Sequence, residues 1–431
     1  MDDMTSTPAD PFAALGQRDH PLRASLSREM HIRGLPRFDA PALALQFVLL
    51  VDEQQAEQGI ALLSHRFPAL KAGDRFLAAR IGDLHFSWER HTEFMTYSFL
   101  APVEGATLFD LAPFGDVPAW MADMPGRVIR STQIAMVMDE PPSAAIAAHF
   151  AIDDLIISDV ADGHARIWSD FRLHADGFGR LLIHDKGLQG GESSQLVQRL
   201  QELGNYRKIA LLGLPEAQQA TPLLTALEQR LTAITSRVAQ KDADADQVLE
   251  QLSALSAELA GIVARTRYRM SATQAYAEIC RDRLRRLAVV PVRGYRSLDD
   301  FTERRLLPAM RTCDAFTRRL EDLAQRTAWT SALLRTRVDT ALARRNRDLL
   351  ASMDRRTALQ LRLQHTVEGL SVVAISYYAL GLWHHLKEAL ELQGWHLPAW
   401  IDVALFPVTI ITVFLGIGQI RKVKRPSGDA H

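Results

Sequence analysis

The sequence predicts an α+β cytoplasmic domain followed by a long helical, stalk-like region and a C-terminal two-helix transmembrane hairpin. Three observations carry that prediction. Residues 369–383 and 403–420 are apolar and free of charge. The hydrophobic spacing changes near residue 190 from the alternation of strands to the three-and-four spacing of helices. Arg and Lys border the outer ends of the apolar pair, whereas the stretch between them is acidic. The chain accordingly divides into an irregular segment (1–40), a mixed α/β domain (41–190), a long-helix region and stalk (191–364), the hairpin (365–420) and a basic cytoplasmic tail (421–431).

In the first segment Pro8, Pro11, Pro21, Pro36 and Pro41 break long elements, and only 22–31 reads as a short helix. Residues 43–51 are strand-like, 54–65 helical, and 75–81 a helix end or strand. The aromatic, partly alternating stretch 83–100 predicts paired strands with one buried face. Further strands are expected at 128–138, 155–160, 164–171 and 180–184, with a helix at 141–150. The Asp162-Gly163 and Asp176-Gly177 pairs mark turns. Gly187 to Gly191 read as a flexible link. Helices are then expected at 193–211, 221–238, 246–270, 273–287, 298–329 and 332–363. The last carries a broken seam of Leu334, Val338, Leu342, Leu349 and Met353, which predicts coiled-coil association into a homo-oligomer.

The two membrane segments rest on their flanks as much as on their length. Trp383, Trp395 and Trp400 sit between them, where amphipathic rings settle at a headgroup boundary. Arg355, Arg356 and Arg362 precede the pair and Arg421, Lys422, Lys424 and Arg425 follow it, as lipid-facing basic groups. This bias predicts a multi-pass membrane protein with two helices and both termini cytoplasmic. Ser376, Tyr377, Tyr378 and Gly381 are candidates for a helix contact or pore lining, and Glu388, Glu391 and Asp402 for a pore mouth.

Composition narrows the rest. The chain has 431 residues, 47% apolar and 23% charged, enough for two or three cooperative units with a small membrane part. Fifty Lys and Arg face 51 Asp and Glu, so no global charge draws nucleic acid, and none is expected as a partner. Cys280 and Cys313 make neither a disulfide scaffold nor a metal framework, which fits a reducing compartment. The acidic, Pro-containing start reads as no export signal. An Arg-rich run from Arg265 to Arg305 is interspersed with Asp and Glu, which predicts ion pairs between helices.

Glu89, His91 and Glu93 would share one face of a strand and could ligate a metal or relay a proton; a salt-bridged strand face explains the same pattern. His20 and His31 form a second candidate ligand or metal pair. His164, His174 and His184 recur at equal intervals, as strands of a meander can bring level. Asn205, Tyr206, Arg207 and Lys208 on a helix offer a basic contact patch. No phosphate-loop or nucleophile-elbow order is present, and no cofactor is named by any motif.

The stretches HPLRASLSREMH (20–31), WERHTEFMTYSF (88–99), GNYRKIALLGLPEAQ (204–218) and LQLRLQHTVEGLSVVAISYYALGL (359–382) resemble the bacterial DUF3422 family, described as uncharacterised membrane-anchored proteins. That resemblance implies no activity and no catalytic residue. Architecturally the chain is also similar to CorA-type magnesium channels, although their Gly-Met-Asn motif is absent after the first membrane segment. The expectation is therefore a membrane-anchored ligand- or partner-binding protein. The alternatives are an oligomeric conduit gated by its cytoplasmic domain and a membrane-tethered hydrolase, with binding favoured over catalysis.

Overall fold

Strand β1 (Ala42–Leu50) organises the fold, because it is covered on both faces and flanked on both edges. Leu43, Leu45, Phe47 and Leu49 point to one side, and Gln46 and Val48 to the other. A computed structural model of the chain describes residues 20–23, 26–27, 34–71, 73–103, 108–240, 244–391, 398 and 400–423. Among them, β1 joins β2 (Phe76–Ile81), β3 (Leu84–Arg90), β4 (Phe94–Pro102), β5 (Arg127–Val137), β6 (Ile156–Val160), β7 (Ala165–Ser169), β8 (Gly179–Asp185) and β9 (Val290–Pro291). The sheet order is β2-β3-β4-β1-β5-β8-β7-β6-β9. Only β5 and β8 pair in parallel among these strands.

On the first face an aromatic core forms. Phe86, Trp88, Tyr97 and Phe99 are fully buried there, each contributing roughly 2 kcal/mol or more by leaving water. Helix α1 (Glu53–Arg66), opened by a reciprocal cap between Asp52 and Gln55, lies on this face. Helix α2 (Val117–Ala122) brings Trp120 edge-on to Phe86 and Phe99. Helix α3 (Ser143–His149) follows.

The second face is covered by α4 (Glu192–Ala210), which also packs on α6 (Ala245–Arg286); α5 (Gly213–Ala239) packs on α6 in turn. The Gly187 to Gly191 segment is not merely a link: Gly191, at φ 95°, is the N-cap of α4. Helix breaks expected at 270–273 and 329–332 do not occur. Ser271-Ala272 and Thr330-Ser331 contain no Gly or Pro, so α6 runs 42 residues and α7 (Leu298–Glu391) runs 94. The Leu298 amide donates to the buried Ser158 hydroxyl at 2.8 Å, fixing the start of α7 on β6.

The first compact unit extends to Ala328 and the second begins at Trp329. The helices up to 328 fall in the same unit as the sheet, and β9 returns after α6 to pair with β6. In the second unit, α7 contains a window long and apolar enough to cross a membrane. Helix α8 (Trp400–Val423) has a shorter described apolar stretch, Trp400–Gly416. The two helices meet where Trp383 Nε1 donates to Asp402 at 3.1 Å and Lys387 Nζ pairs with the same carboxylate at 2.5 Å.

Candidate ligand site

Two polar clusters share the face of the sheet beneath α4. The first lies around the β3–β4 turn. Glu89 and His91 approach to 3.6 Å, and the His91 ring stacks on Phe94 at 4.1 Å. Glu93 does not continue their strand, since the chain turns between Arg90 and Phe94; its carboxylate is instead held by Arg269 of α6 at 2.6 Å. Glu202 of α4 pairs with Arg283. A cavity of about 40 Å³ lined by Ser87, Glu89, His91, Gln201 and Tyr206 has room for about three waters. Among the described residues no group of three or more His, Cys, Asp or Glu could hold a metal.

The second cluster is built around Arg130, the fourth residue of strand β5, followed by Ser131, Thr132 and Gln133. It lies opposite Val48 and turns toward α4. Its Nη1 donates to Asn205 Oδ1 at 2.8 Å and to Gln46 Oε1 at 2.9 Å, while Gln46 Nε2 donates to Ser98. The guanidinium can lie against α4 only because residue 204 is glycine: a Cβ there would stand 2.6 Å from Nη2. Arg207 follows on the same helix and is buried. Its guanidinium lies 4.5 Å from the Phe171 ring and 5.3 Å from that of Phe301, which stack on each other at 4.4 Å, and Nη1 reaches Thr302 Oγ1 at 3.5 Å. Lys208 is next.

Among the described residues none of these three cations pairs with a carboxylate. Burial, reinforced by the charge of Arg207, pushes Arg130 down to about 9; burial pushes Arg207 down to about 10. Lys208 is lowered by burial and by its two neighbours. Arg130 and Arg207 nonetheless stay charged at neutral pH. With Lys208 they border a cavity of about 150 Å³ whose walls include the apolar Ile167, Leu181, Leu200, Leu203 and Leu298 and the polar Ser131, Thr132, Ser169, Arg172 and Arg180. At its rim Phe171 adopts φ 52°, a left-handed conformation rare for a bulky residue and typical of strained functional segments.

A family model described as a protein of unknown function (DUF3422) matches residues 18–423. The chain belongs to the DUF3422 family. No curated protein matches it.

The remaining candidates of this DUF3422 protein fall apart in space or lie elsewhere. His20 is exposed, its ring accepting from the Leu22 amide at 3.2 Å, and His31 lies outside the described residues. His164, His174 and His184 bond separately, to the Ala161 carbonyl, Asp170 and the Met138 carbonyl. Ser376 is buried while Tyr377 and Tyr378 are exposed, and space beside Gly381 is open. Lys387 engages Glu391 as well as Asp402; Glu388 faces His385. Arg355, Arg356 and Arg362 are exposed; the side chains of Arg421 and Lys422, and residues Lys424 and Arg425, are outside the described set. A groove between α6 and α7 exposes both acids and bases, and burial pushes its Cys280 thiol up to about 11, away from reactivity. Sequence reasoning saw Arg207 and Lys208 as a basic contact patch and missed Arg130, whose neighbours Ser131, Thr132 and Gln133 on a strand that also carries Arg127 give it no distinctive signal.

Proposed function

We propose that this DUF3422 chain is a membrane-anchored cytoplasmic binding protein whose ligand is an anion held between Arg130, Arg207 and Lys208. The observation that carries the reading is the missing counter-charge among the described residues. A buried cation without an opposite charge costs on the order of several kcal/mol, and an anion entering the cavity offsets that cost at the buried Arg207 and the part-buried Arg130 while gaining charge-assisted hydrogen bonds. Arg130 is already oriented by Gln46 and Asn205, so little ordering remains to be done on binding.

The anchor is a two-helix hairpin formed by the end of α7 and by α8. Its support is their apolar composition, the Lys387–Asp402–Trp383 clasp and the basic flanks, and the positive-inside bias of those flanks favours a cytoplasmic side for both termini. Engagement of Asp402 and Glu391 by Lys387 favours an anchor over a ring of free acids at a pore mouth. Exposed Leu342, Leu349, Met353 and Leu359 on α7 support association of like chains.

The test is titration of the full-length protein in neutral detergent with inorganic phosphate and with small organic acids, beside Arg130→Met and Arg207→Met. Each variant should weaken anion binding about 100-fold, the equivalent of one charge-assisted hydrogen-bond pair, while keeping its thermal transition. Absence of binding by every anion, or equal binding by both variants, overturns the reading.

A further inference from the structure

Arg130, Arg207 and Lys208 lie toward β5 and α4, whereas the other two cations of the lining, Arg172 and Arg180, are paired with Asp154 and Asp176, and this asymmetry says more about the ligand than its charge. Arg130 projects from β5, whereas Leu181 projects from β8 and Ile167 from β7, one and two strands further across the sheet. At a strand spacing of about 4.8 Å the apolar wall therefore continues for roughly 10 Å away from the guanidinium. Leu200 on α4 and Leu298 at the start of α7 close that wall from above. The cavity volume of about 150 Å³ is an order of magnitude above the roughly 10–15 Å³ that accommodates one water. An inorganic anion seated on the cations would leave most of this apolar space filled only by water that finds few partners there.

We infer that the ligand is an organic oxyanion, a carboxylate or phosphate monoester on a compact hydrocarbon body of about ten non-hydrogen atoms. This rests on the reading that the cavity takes an anion. The head group lies among Arg130, Arg207 and Lys208, whose guanidinium forks suit either kind of oxyanion. The body lies along Leu181, Ile167 and Leu200, where burial contributes affinity that inorganic ions lack. Leu173, on the loop that also carries Phe171, is 76% exposed at the rim of the same cavity and is placed to cover the body's outer edge.

Full-length protein in neutral detergent is titrated calorimetrically with cyclohexanecarboxylate, phenyl phosphate, inorganic phosphate and the neutral cyclohexylmethanol. The tighter of the two organic anions should bind at least about ten-fold more strongly than inorganic phosphate, and the alcohol should not bind measurably. Its head group identifies which oxyanion the cations prefer. Leu200→Phe, which fills the apolar side, should weaken the organic anion about ten-fold and leave inorganic phosphate unchanged. Leu173→Asp, at an exposed position where folding is not at stake, should weaken it in the same direction. Inorganic phosphate binding as tightly as both organic anions, or organic binding indifferent to both leucine variants, overturns the inference while leaving an anion site in place. Failure of all three anions overturns the wider reading as well.

Discussion

The acidic cluster at the β3–β4 turn and the basic cluster on β5 lie on the same face of one sheet beneath one helix, yet they differ in charge compensation. Glu89 has His91, Glu93 has Arg269 and Glu202 has Arg283. Among the described residues Arg130 and Arg207 have only neutral partners, the amides of Gln46 and Asn205, a threonine hydroxyl and two aromatic faces. A polar group buried with its opposite charge is a structural joint, and removing one half leaves the other stranded. Like charges held close together with neutral partners alone leave folding a deficit that those partners answer only in part. The first cluster is thus explained by the fold, and the second is the one for which a ligand is proposed.

The largest expected effect separates the two clusters by stability. Arg269→Met strands the Glu93 carboxylate, which is 9% exposed, between β4 and α6, and should lower the unfolding free energy by about 3 kcal/mol. Arg207→Met should lower it by no more than about 1 kcal/mol, the worth of its contacts with Phe171 and Phe301, or raise it, because an unanswered charge leaves the interior. Chemical denaturation of the soluble unit's signal in the ligand-free protein measures both. A loss at Arg207 as large as that at Arg269 would make the basic cluster a structural joint like the acidic one.

Much of the fold was legible because its cause is local. The apolar run at 43–51 reads as β1, the partly alternating aromatics of 83–100 as β3 and β4, and the change of spacing near 190 as the start of α4. The continuity of α6 and α7 was legible in principle from the lack of Gly and Pro at 270–273 and 329–332, a signal outweighed by small irregularities in their apolar spacing. The site was not legible for a different reason. Glu89, His91 and Glu93 are conspicuous because they are neighbours in sequence, but closeness along the chain mostly shortens the route to mutual compensation. Arg130, Phe171, Arg207 and Phe301 are brought together from β5, the loop after β7, α4 and α7. Each alone resembles an ordinary strand, loop or helix residue, and only the sheet order and the crossing of α4 bring them together with no acid paired to them among the described residues.

A smaller effect is expected at Gly204, where the comparison turns on space. Gly204→Ala improves helix propensity by up to about 1 kcal/mol and meets only the flexible end of Arg130, so stability should hold or rise. The displaced guanidinium, however, loses its place between Gln46 and Asn205, and anion affinity should fall about ten-fold. Parallel melting and titration of the same preparation separate the two responses. A variant that binds as tightly as the parent would mean that Arg130 reaches the anion from more than one position.

The smallest effect is the one that could merge the two clusters. Gln46 joins them physically, accepting from Arg130 while donating to Ser98 beside the smaller cavity. Were the acidic side part of the same site, neutralising Glu89 would alter the field felt by the anion. Glu89 is only partly buried and its charge already lies against His91, so solvent and that imidazole screen it from the cations. Glu89→Gln should therefore change anion affinity by less than about two-fold at physiological ionic strength, measured by the same titration. A ten-fold change would show that the polar layer beneath α4 acts as one continuous site, with Gln46 relaying the state of one end to the other.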